Sequence, residues 1–353
     1  MRELCRHFGT CGGCVFQNMS RDAYRAMKRD AIEKALALHG FEAPVATLVE
    51  TLPATRRRAT LRAVKNGDEV VIGFNALRSH AVVDMQECFV LTPALVSLVQ
   101  DLRELLRRLL RSQAQAEIDV TETDSGFDLA LALPARDFAH HTTVLAQWAC
   151  AQAIARIFVN GELAVHLANP TIRIGDAEVR LPQGAFLQPS REGETILRQA
   201  VLEITKGARR VADLFAGCGT FTLVLAQHAR VHAVDTDHEA LRSLDEAARK
   251  TRGLKPVTTE ARDLFTRPLR PDELAAFDAV VIDPPRAGAR AQAQLLAQCR
   301  VGRLAYVSCN PETFARDAAI LIKGGFHLTG VKPVDQFLWS KHIELVGAFV
   351  RKP

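Results

Sequence analysis

The stretch from Arg210 to Asp235 constrains this chain more than any other. It reads as an apolar strand (Val211-Ala-Asp213-Leu-Phe215), a glycine turn (Ala-Gly217-Cys218-Gly219), a helix over 220–228 and a second strand, Val231-His-Ala-Val-Asp235, ending on a carboxylate. Parallel strands need a crossover between them, and a helix supplies it, so this unit commits its surroundings to a βαβ layer architecture. The rhythm extends both ways. A helix over 193–205, a helix over 238–251 and the strand Phe277-Asp-Ala-Val-Val-Ile-Asp283 predict a doubly wound parallel sheet from about residue 185 onward.

The glycine turn sits where such sheets bind ligands. Gly217 and Gly219 let the backbone approach a small molecule at the carboxyl end of the strand, and Asp235 is placed to accept both hydroxyls of a ribose. The third glycine of the dinucleotide fingerprint is missing, because residue 222 is Thr. That removes the seat for a pyrophosphate and favours S-adenosylmethionine over NAD. At the next strand end stands Asp283-Pro-Pro-Arg286. Enzymes that methylate exocyclic amines place a base-stacking aromatic after the prolines, so Arg286 disfavours that chemistry.

A further strand, Arg303-Leu-Ala-Tyr306-Val-Ser308, runs into Cys309-Asn310-Pro311-Glu312. Asn310 suits an N-cap and Pro311 the first helical position, which puts Cys309 just ahead of a helix N-terminus. The dipole there is expected to lower the thiol pKa and make Cys309 a nucleophile. A methyl-transferring enzyme needs a thiolate when its target is C5 of a pyrimidine: addition at C6 makes C5 nucleophilic, and a base must afterwards remove the C5 proton. Glu344, in His342-Ile-Glu344 on a late strand, is the candidate base.

Of eight cysteines, three lie within ten residues as Cys5-x5-Cys11-Gly-Gly-Cys14, and Cys88 is the nearest later candidate for a fourth ligand. In a reducing compartment such crowding reads as metal or cluster ligation, and spacing alone admits zinc as readily as a [4Fe–4S] cluster. Cys150 and Cys299 read as packed core residues and Cys218 as a space-filler in the glycine loop. No apolar run reaches the length of a membrane span, and the N-terminus lacks the apolar core of a secretory signal, so a soluble cytoplasmic protein is expected. Lys and Arg number 45 against 40 Asp and Glu, an excess compatible with a nucleic-acid partner but equally with none.

Ahead of the sheet, Ser20 to Leu38 predicts a capped helix, and the runs around 55–64 and 69–74 predict a hairpin turned at Asn66-Gly67. Its first strand carries Arg56, Arg57, Arg58 and Arg62, either a solvated face or a phosphate-contacting one. A helix over 95–110 bears a leucine stripe beside exposed arginines; residues 116–182 alternate as an α+β lobe with a helix near 141–156. Three units follow: residues 1–92 with the cysteine cluster and basic hairpin, 93–184 as a central α+β lobe, and 185–353 as the cofactor domain.

Taken together, the cysteine cluster, Phe186-Leu-Gln188, Asp213-Leu-Phe-Ala-Gly-Cys-Gly-Thr-Phe, Asp283-Pro-Pro-Arg, Ser308-Cys309-Asn-Pro and His342-Ile-Glu344 resemble the RNA uracil-C5 methyltransferase family over essentially the whole length. The resemblance implies an α/β, class I (Rossmann-like) methyltransferase domain, with an N-terminal iron–sulfur segment and an α+β RNA-recognition lobe. It implies a [4Fe–4S] cluster on Cys5, Cys11, Cys14 and Cys88, and S-adenosylmethionine held around Gln188, Phe215, Gly217, Gly219, Asp235 and Asp283. It makes Cys309 the nucleophile and Glu344 the base. Three departures stand out: Ser190 where the family has Asn, Phe337-Leu-Trp-Ser340 for Phe-Pro-His-Thr, and Asp235 for the commoner Glu. A chain with the cluster and no TRAM barrel looks most like the branch acting on 23S ribosomal RNA, with transfer RNA the alternative. RNA is the expected partner and a monomer the expected state. A cytosine-C5 RNA methyltransferase and a non-catalytic iron–sulfur or zinc RNA-binding protein are the rival readings.

Overall fold

The computed structural model describes residues 4–134 and 142–351. The N-terminal half contains α1 (Arg21–Leu38), β1 (Val49–Glu50), β2 (Arg58–Asn66), β3 (Glu69–Gly73), α2 (Pro93–Leu109), β4 (Gln115–Thr123), β5 (Gly126–Ala132), α3 (Thr142–Ala151), β6 (Ile154–Val159), β7 (Glu162–His166), β8 (Thr171–Ile174) and β9 (Ala177–Arg180). The C-terminal half contains α4 (Arg191–Ile204), β10 (Arg210–Leu214), α5 (Thr222–Leu225), β11 (Arg230–Asp235), α6 (His238–Lys250), β12 (Val257–Ala261), α7 (Pro271–Leu274), β13 (Ala279–Ile282), α8 (Arg290–Leu296), β14 (Arg303–Ser308), α9 (Pro311–Lys323), β15 (Phe326–Asp335) and β16 (Glu344–Arg351). Among the described residues no helix is long and apolar enough to cross a membrane.

The C-terminal half builds an eight-stranded sheet in the order β1-β15-β16-β14-β13-β10-β11-β12. Its central strands are parallel, as the βαβ rhythm requires, and the buried runs Val211–Leu214 and Ala279–Ile282 are apolar on both faces except for Asp213. The expectation of a wholly parallel sheet is corrected at β16, which runs antiparallel to both β14 and β15. The reason is the short connection at 336–343, which reverses the chain between β15 and its neighbour. Helix α1 packs Ile32, Ala35 and Leu36 into the core under this sheet, and β1 adds a parallel strand beside β15. The N-terminal segment is thereby part of the C-terminal body.

The predicted hairpin forms: Asn66 pairs with Glu69 around Gly67, whose φ of +62° suits a two-residue turn. It joins β4–β7 in one six-stranded sheet, order β3-β2-β4-β5-β6-β7, covered by the leucine stripe of α2. A division at 92/93 would cut this sheet, so hairpin and central region are one lobe. The expected helix near 141–156 ends at Ala151, because Ile154–Val159 buries alternate residues and pairs with β5; residue 141 lies outside the described residues. Cys150 is exposed rather than packed, whereas Cys218 and Cys299 are buried. The β8–β9 hairpin shares a core with Ala216, Cys218 and Leu244, so the C-terminal body begins ahead of the expected boundary at 184/185.

The arginine run joins the two lobes. Arg57 is buried, ion-paired with Glu194 of α4, and donates from Nε to the carbonyl of Gln188 at 3.1 Å. Arg58 donates to the carbonyl of Leu187 at 2.8 Å and lies over the exposed ring of Phe186, 5.0 Å from its centroid. Neither alternative offered by the sequence, solvated face or phosphate strand, describes Arg57, which burial and the Glu194 carboxylate commit to the interior. Glu194 keeps a second partner in Arg198, so removing Arg57 takes away one of two cations from a buried carboxylate and strips the Gln188 carbonyl of its donor, at a cost of about 1–3 kcal/mol. Arg57→Met is therefore expected to lower the thermal midpoint clearly, while Arg62→Met, at an exposed pair with Glu117, leaves it almost unchanged; differential scanning calorimetry of the two variants checks this.

Candidate active site

The glycine turn is shaped by backbone that few residues adopt. Phe215 leaves β10 at φ +63°, Gly217 follows at +52° and Gly219 at +92°, where a Cβ would stand 2.4 Å from Leu244 Cδ1. Asp235 holds the turn as well as facing it: Oδ2 accepts the Gly217 N–H at 2.8 Å and Oδ1 that of Asp237 at 2.9 Å. Beneath the turn, Asp213 is fully buried. Its Oδ2 accepts the Thr222 hydroxyl at 2.5 Å, and its Oδ1 has no partner among the described residues. Burial is the main force pushing Asp213 up to about 7. Phe265 tilts against Phe215, with ring centroids 5.4 Å apart, at the mouth of the same turn. An orphaned carboxylate oxygen beneath a turn that is open at Gly217 suits a cationic nucleoside such as S-adenosylmethionine.

The second group is set by strand register. Ser308 pairs with Leu345 in the antiparallel β14–β16 ladder, so one step further along brings Cys309 opposite Glu344. Glu344 also pairs with Val334 of β15, which places it between two strand ends. The predicted cap is present: Asn310 Oδ1 accepts the Glu312 N–H at 3.1 Å with Pro311 at the first helical position. The expected lowering of the Cys309 pKa is not. Half-burial, then Glu344 and Asp283, push the thiol up to about 11, outweighing Arg286. Desolvation and two neighbouring carboxyls beat a helix terminus whose own amides are capped by Asn310.

The carboxyls form a coupled series. Burial and Asp213 push half-buried Asp283 up to about 7, while burial and Asp283 push the buried Glu344 up to about 8. Gln336 draws Glu344 back: its Nε2 donates to Glu344 Oε2 at 3.3 Å and to Gln188 Oε1 at 2.6 Å. One amide thus links the candidate cofactor residue Gln188 to the candidate base. Sequence reasoning missed Gln336, because its role exists only where three segments meet. Asp213 was quoted in the motif but not assigned; a carboxylate in an apolar strand just before a glycine turn was the available signal. Ser190, the departure from Asn, caps α4 by accepting the Gly193 N–H at 3.0 Å, which an Asn side chain does equally.

A cavity of about 750 Å³ opens in front of Cys309. Arg56, Arg286, Phe337, Lys341 and His342 are among its lining residues, a cationic and aromatic set suited to RNA. Cys5, Cys11, Cys14 and Cys88 line the same cavity. Burial and then Cys88 push Cys14 up to about 12, with Cys11 and Cys5 adding to it; Cys88 in turn feels Cys11. The four thiols are near enough to repel one another as thiolates. Their side chains nevertheless do not converge to ligand geometry: among the described residues no three His, Cys, Asp or Glu side chains group as a metal site. The expected four-thiolate centre is therefore not seen assembled, since protonated thiols have no mutual attraction to draw them together.

Titration of Glu344 links the site to stability. Its pKa is about 4.3 in an unfolded chain and about 8 here. Between those values the folded protein keeps a proton that the unfolded chain has released, so stability falls as pH rises through the window. Glu344→Gln removes that titration. The variant is expected to match the parent in thermal midpoint near pH 4, as a rough bound from the unfolded value, and to exceed it increasingly toward pH 8, which pH-resolved calorimetry measures.

Residues 261–352 match the family described as tRNA (Uracil-5-)-methyltransferase. An RNA methyltransferase of Rhizobium meliloti is 45% identical over 350 residues, covering 97% of this chain and 84% of the relative. The 23S rRNA (uracil(1939)-C(5))-methyltransferase of Halomonas elongata is 32% identical, covering 96% of this chain and 74% of the relative. Among solved structures, the tRNA (uracil-54, C5)-methyltransferase of Pyrococcus abyssi in complex with S-adenosyl-L-homocysteine superposes with a TM-score of 0.76 over 98% of this chain and 86% of that one, at 22% identity, and so shares the fold. Similarity of this extent, running through the cysteine segment, both lobes and the Cys309 edge of the sheet, means that the chain belongs to the S-adenosylmethionine-dependent RNA uracil-C5 methyltransferase family.

Proposed function

We propose that this enzyme methylates C5 of a uridine in 23S ribosomal RNA, with Cys309 as nucleophile and Glu344 as base. The observation that carries the reading is the β14–β16 register, which sets a thiol opposite a buried carboxyl at the mouth of a cationic cavity. Gln188, Phe215, Gly217, Gly219, Asp235 and Asp283 would hold S-adenosylmethionine, which when bound supplies an electrophilic methyl group. As Cys309 gives up its thiol proton to water, Sγ bonds to C6 of the uracil and the C5=C6 electron pair moves onto C5 as an enolate. C5 would then take the methyl carbon as the bond between that carbon and the donor's sulfur breaks, with S-adenosylhomocysteine as the leaving group. Glu344 then takes the C5 proton, the C5=C6 double bond re-forms, and the C6–S bond breaks to release the thiolate. The target must be flipped out of its stack to enter a cavity this deep, and ring stacking on Phe337 with phosphates on Arg56 and Lys341 would hold it.

The ribosomal substrate is supported by the relative whose name specifies 23S rRNA, which is 32% identical; the transfer-RNA enzyme shares the fold at 22% identity. Cytoplasmic location follows from that substrate. For the cysteine segment we propose a [4Fe–4S] cluster on Cys5, Cys11, Cys14 and Cys88. Four thiols lining one cavity, with Cys5, Cys14 and Cys88 raised in pKa by burial and then by neighbouring thiols, are a donor set that a cationic centre stabilises. Such a centre would anchor the N-terminal segment against the cavity wall.

Two outcomes are expected. Cys309→Ala abolishes turnover of 23S rRNA fragments, whereas Glu344→Gln methylates once and accumulates an RNA adduct stable on a denaturing gel, because the C5 proton has no acceptor; an active Cys309→Ala enzyme would end the covalent reading. Protein purified without oxygen carries four irons per chain with broad visible absorption, as a [4Fe–4S] centre requires, and loses both in Cys14→Ala; colourless protein with stoichiometric zinc replaces the cluster by a zinc site.

A further inference from the structure

Helix α1 lines none of the cavity, yet two of its residues hold the loop that does. Tyr24 and Lys28 are one turn apart on the buried stripe, 3% and 2% exposed, and both end on Asp335, the last residue of β15. Tyr24 donates its hydroxyl to Asp335 Oδ2 at 2.5 Å, and Lys28 donates from Nζ to Oδ1 at 3.0 Å. Each then makes a second bond further along the 336–343 loop. The Trp339 N–H donates to the Tyr24 oxygen at 2.8 Å, and Lys28 Nζ donates to the carbonyl of His342. Two side chains thus grip the loop at its start, middle and end.

The loop needs such a grip. Trp339 is a bulky residue at φ +58°, a strained position that persists only where neighbours fix it. Its carbonyl is held by the N–H groups of Val15 and Phe16 at 2.8 and 3.0 Å, while Tyr24 holds its N–H. The same loop carries Gln336, which bridges Gln188 and Glu344, and Phe337 and His342, which face Cys309 across the cavity. For stability alone a buried ion pair is a weak device, since apolar residues of equal volume serve as well. What it adds here is fixed direction.

We infer that Tyr24 and Lys28 are positioning residues for the methylation, setting the 336–343 loop so that Gln336 aims Glu344 toward the Cys309 edge. The inference rests on the reading of Glu344 as base, and the test separates the two. The chain has two tryptophans, so Trp148→Phe on α3 leaves Trp339 as the sole emitter and reports the loop without RNA or turnover. In that background Tyr24→Phe removes one hydroxyl with packing kept, and Lys28→Met removes the ammonium with chain length kept. Both are expected to red-shift Trp339 emission and raise its quenching by acrylamide. Both should lower kcat by about tenfold or more, keep KM for RNA within about threefold, and accumulate the RNA adduct. Variants that fold by circular dichroism but keep the parent emission overturn the proposal, whatever their rate, and so does a shifted emission with parent kcat. If Lys28→Met does not fold, Tyr24→Phe decides. A shifted emission and lost kcat beside a Glu344→Gln enzyme that turns over normally uphold the loop-positioning role and remove only the base assignment.

Discussion

The pairing of Ser308 with Leu345 is the contact on which the site depends. Side chains alternate along a strand, so a slip of one residue between β14 and β16 would turn Glu344 away from Cys309 and expose the apolar set that β16 buries. The register is protected by that apolar set. Leu345 and Phe349 enter one core and Val346 the opposite one, so the slip would exchange residues of different size between two packed layers. The reversed direction of β16 matters equally: in a parallel strand the residue beside Cys309 would be the last of its strand, with a helix still to come. Fold specificity and the geometry of the chemistry are here the same fact.

A second constraint joins the lobes. Arg57 and Arg58, at the start of β2 in the six-stranded lobe, hold the carbonyls of Gln188 and Leu187, while Gln336 holds the side chain of Gln188 from the Cys309 edge. The segment 187–190 is consequently pinned from two sides before any ligand arrives. Preorganisation of this kind removes the ordering cost from the binding step and places it in folding, where the buried Arg57–Glu194 pair secures it.

Much of this was legible in local sequence. Asn66-Gly67, the Ser20 and Asn310 caps and the strands of the 210–235 unit each carry their signal within a few residues and formed as predicted, while the helix expected over 220–228 is shortened to Thr222–Leu225. What was illegible depends on contacts far apart in the chain. Tyr24 and Asp335 are 311 positions apart, and nothing near Lys28 in the sequence marks it as a buried cation rather than one more polar residue on a surface helix. Arg57 misled for a related reason: four arginines in a strand suggest a solvated or phosphate-facing ridge, and only the arrival of Glu194 makes the interior available to one of them. The domain boundaries failed because hydrogen-bonded sheets and shared cores ignore the composition changes from which boundaries are read. For Cys309 the local logic of a helix terminus was sound, but burial, and then two carboxyls brought by other strands, reversed its sign.

That reversal has a consequence for the life of the enzyme in a cell. Peroxide and alkylating electrophiles attack thiolates, and a sulfur whose pKa is about 11 presents almost none at neutral pH. Cys309, the proposed nucleophile, is thus a poor target for chance oxidation between encounters with RNA. Under the proposed mechanism, burial and the carboxyl neighbours, which look like an obstacle to reactivity, would act as a safety catch released by a correctly seated pyrimidine.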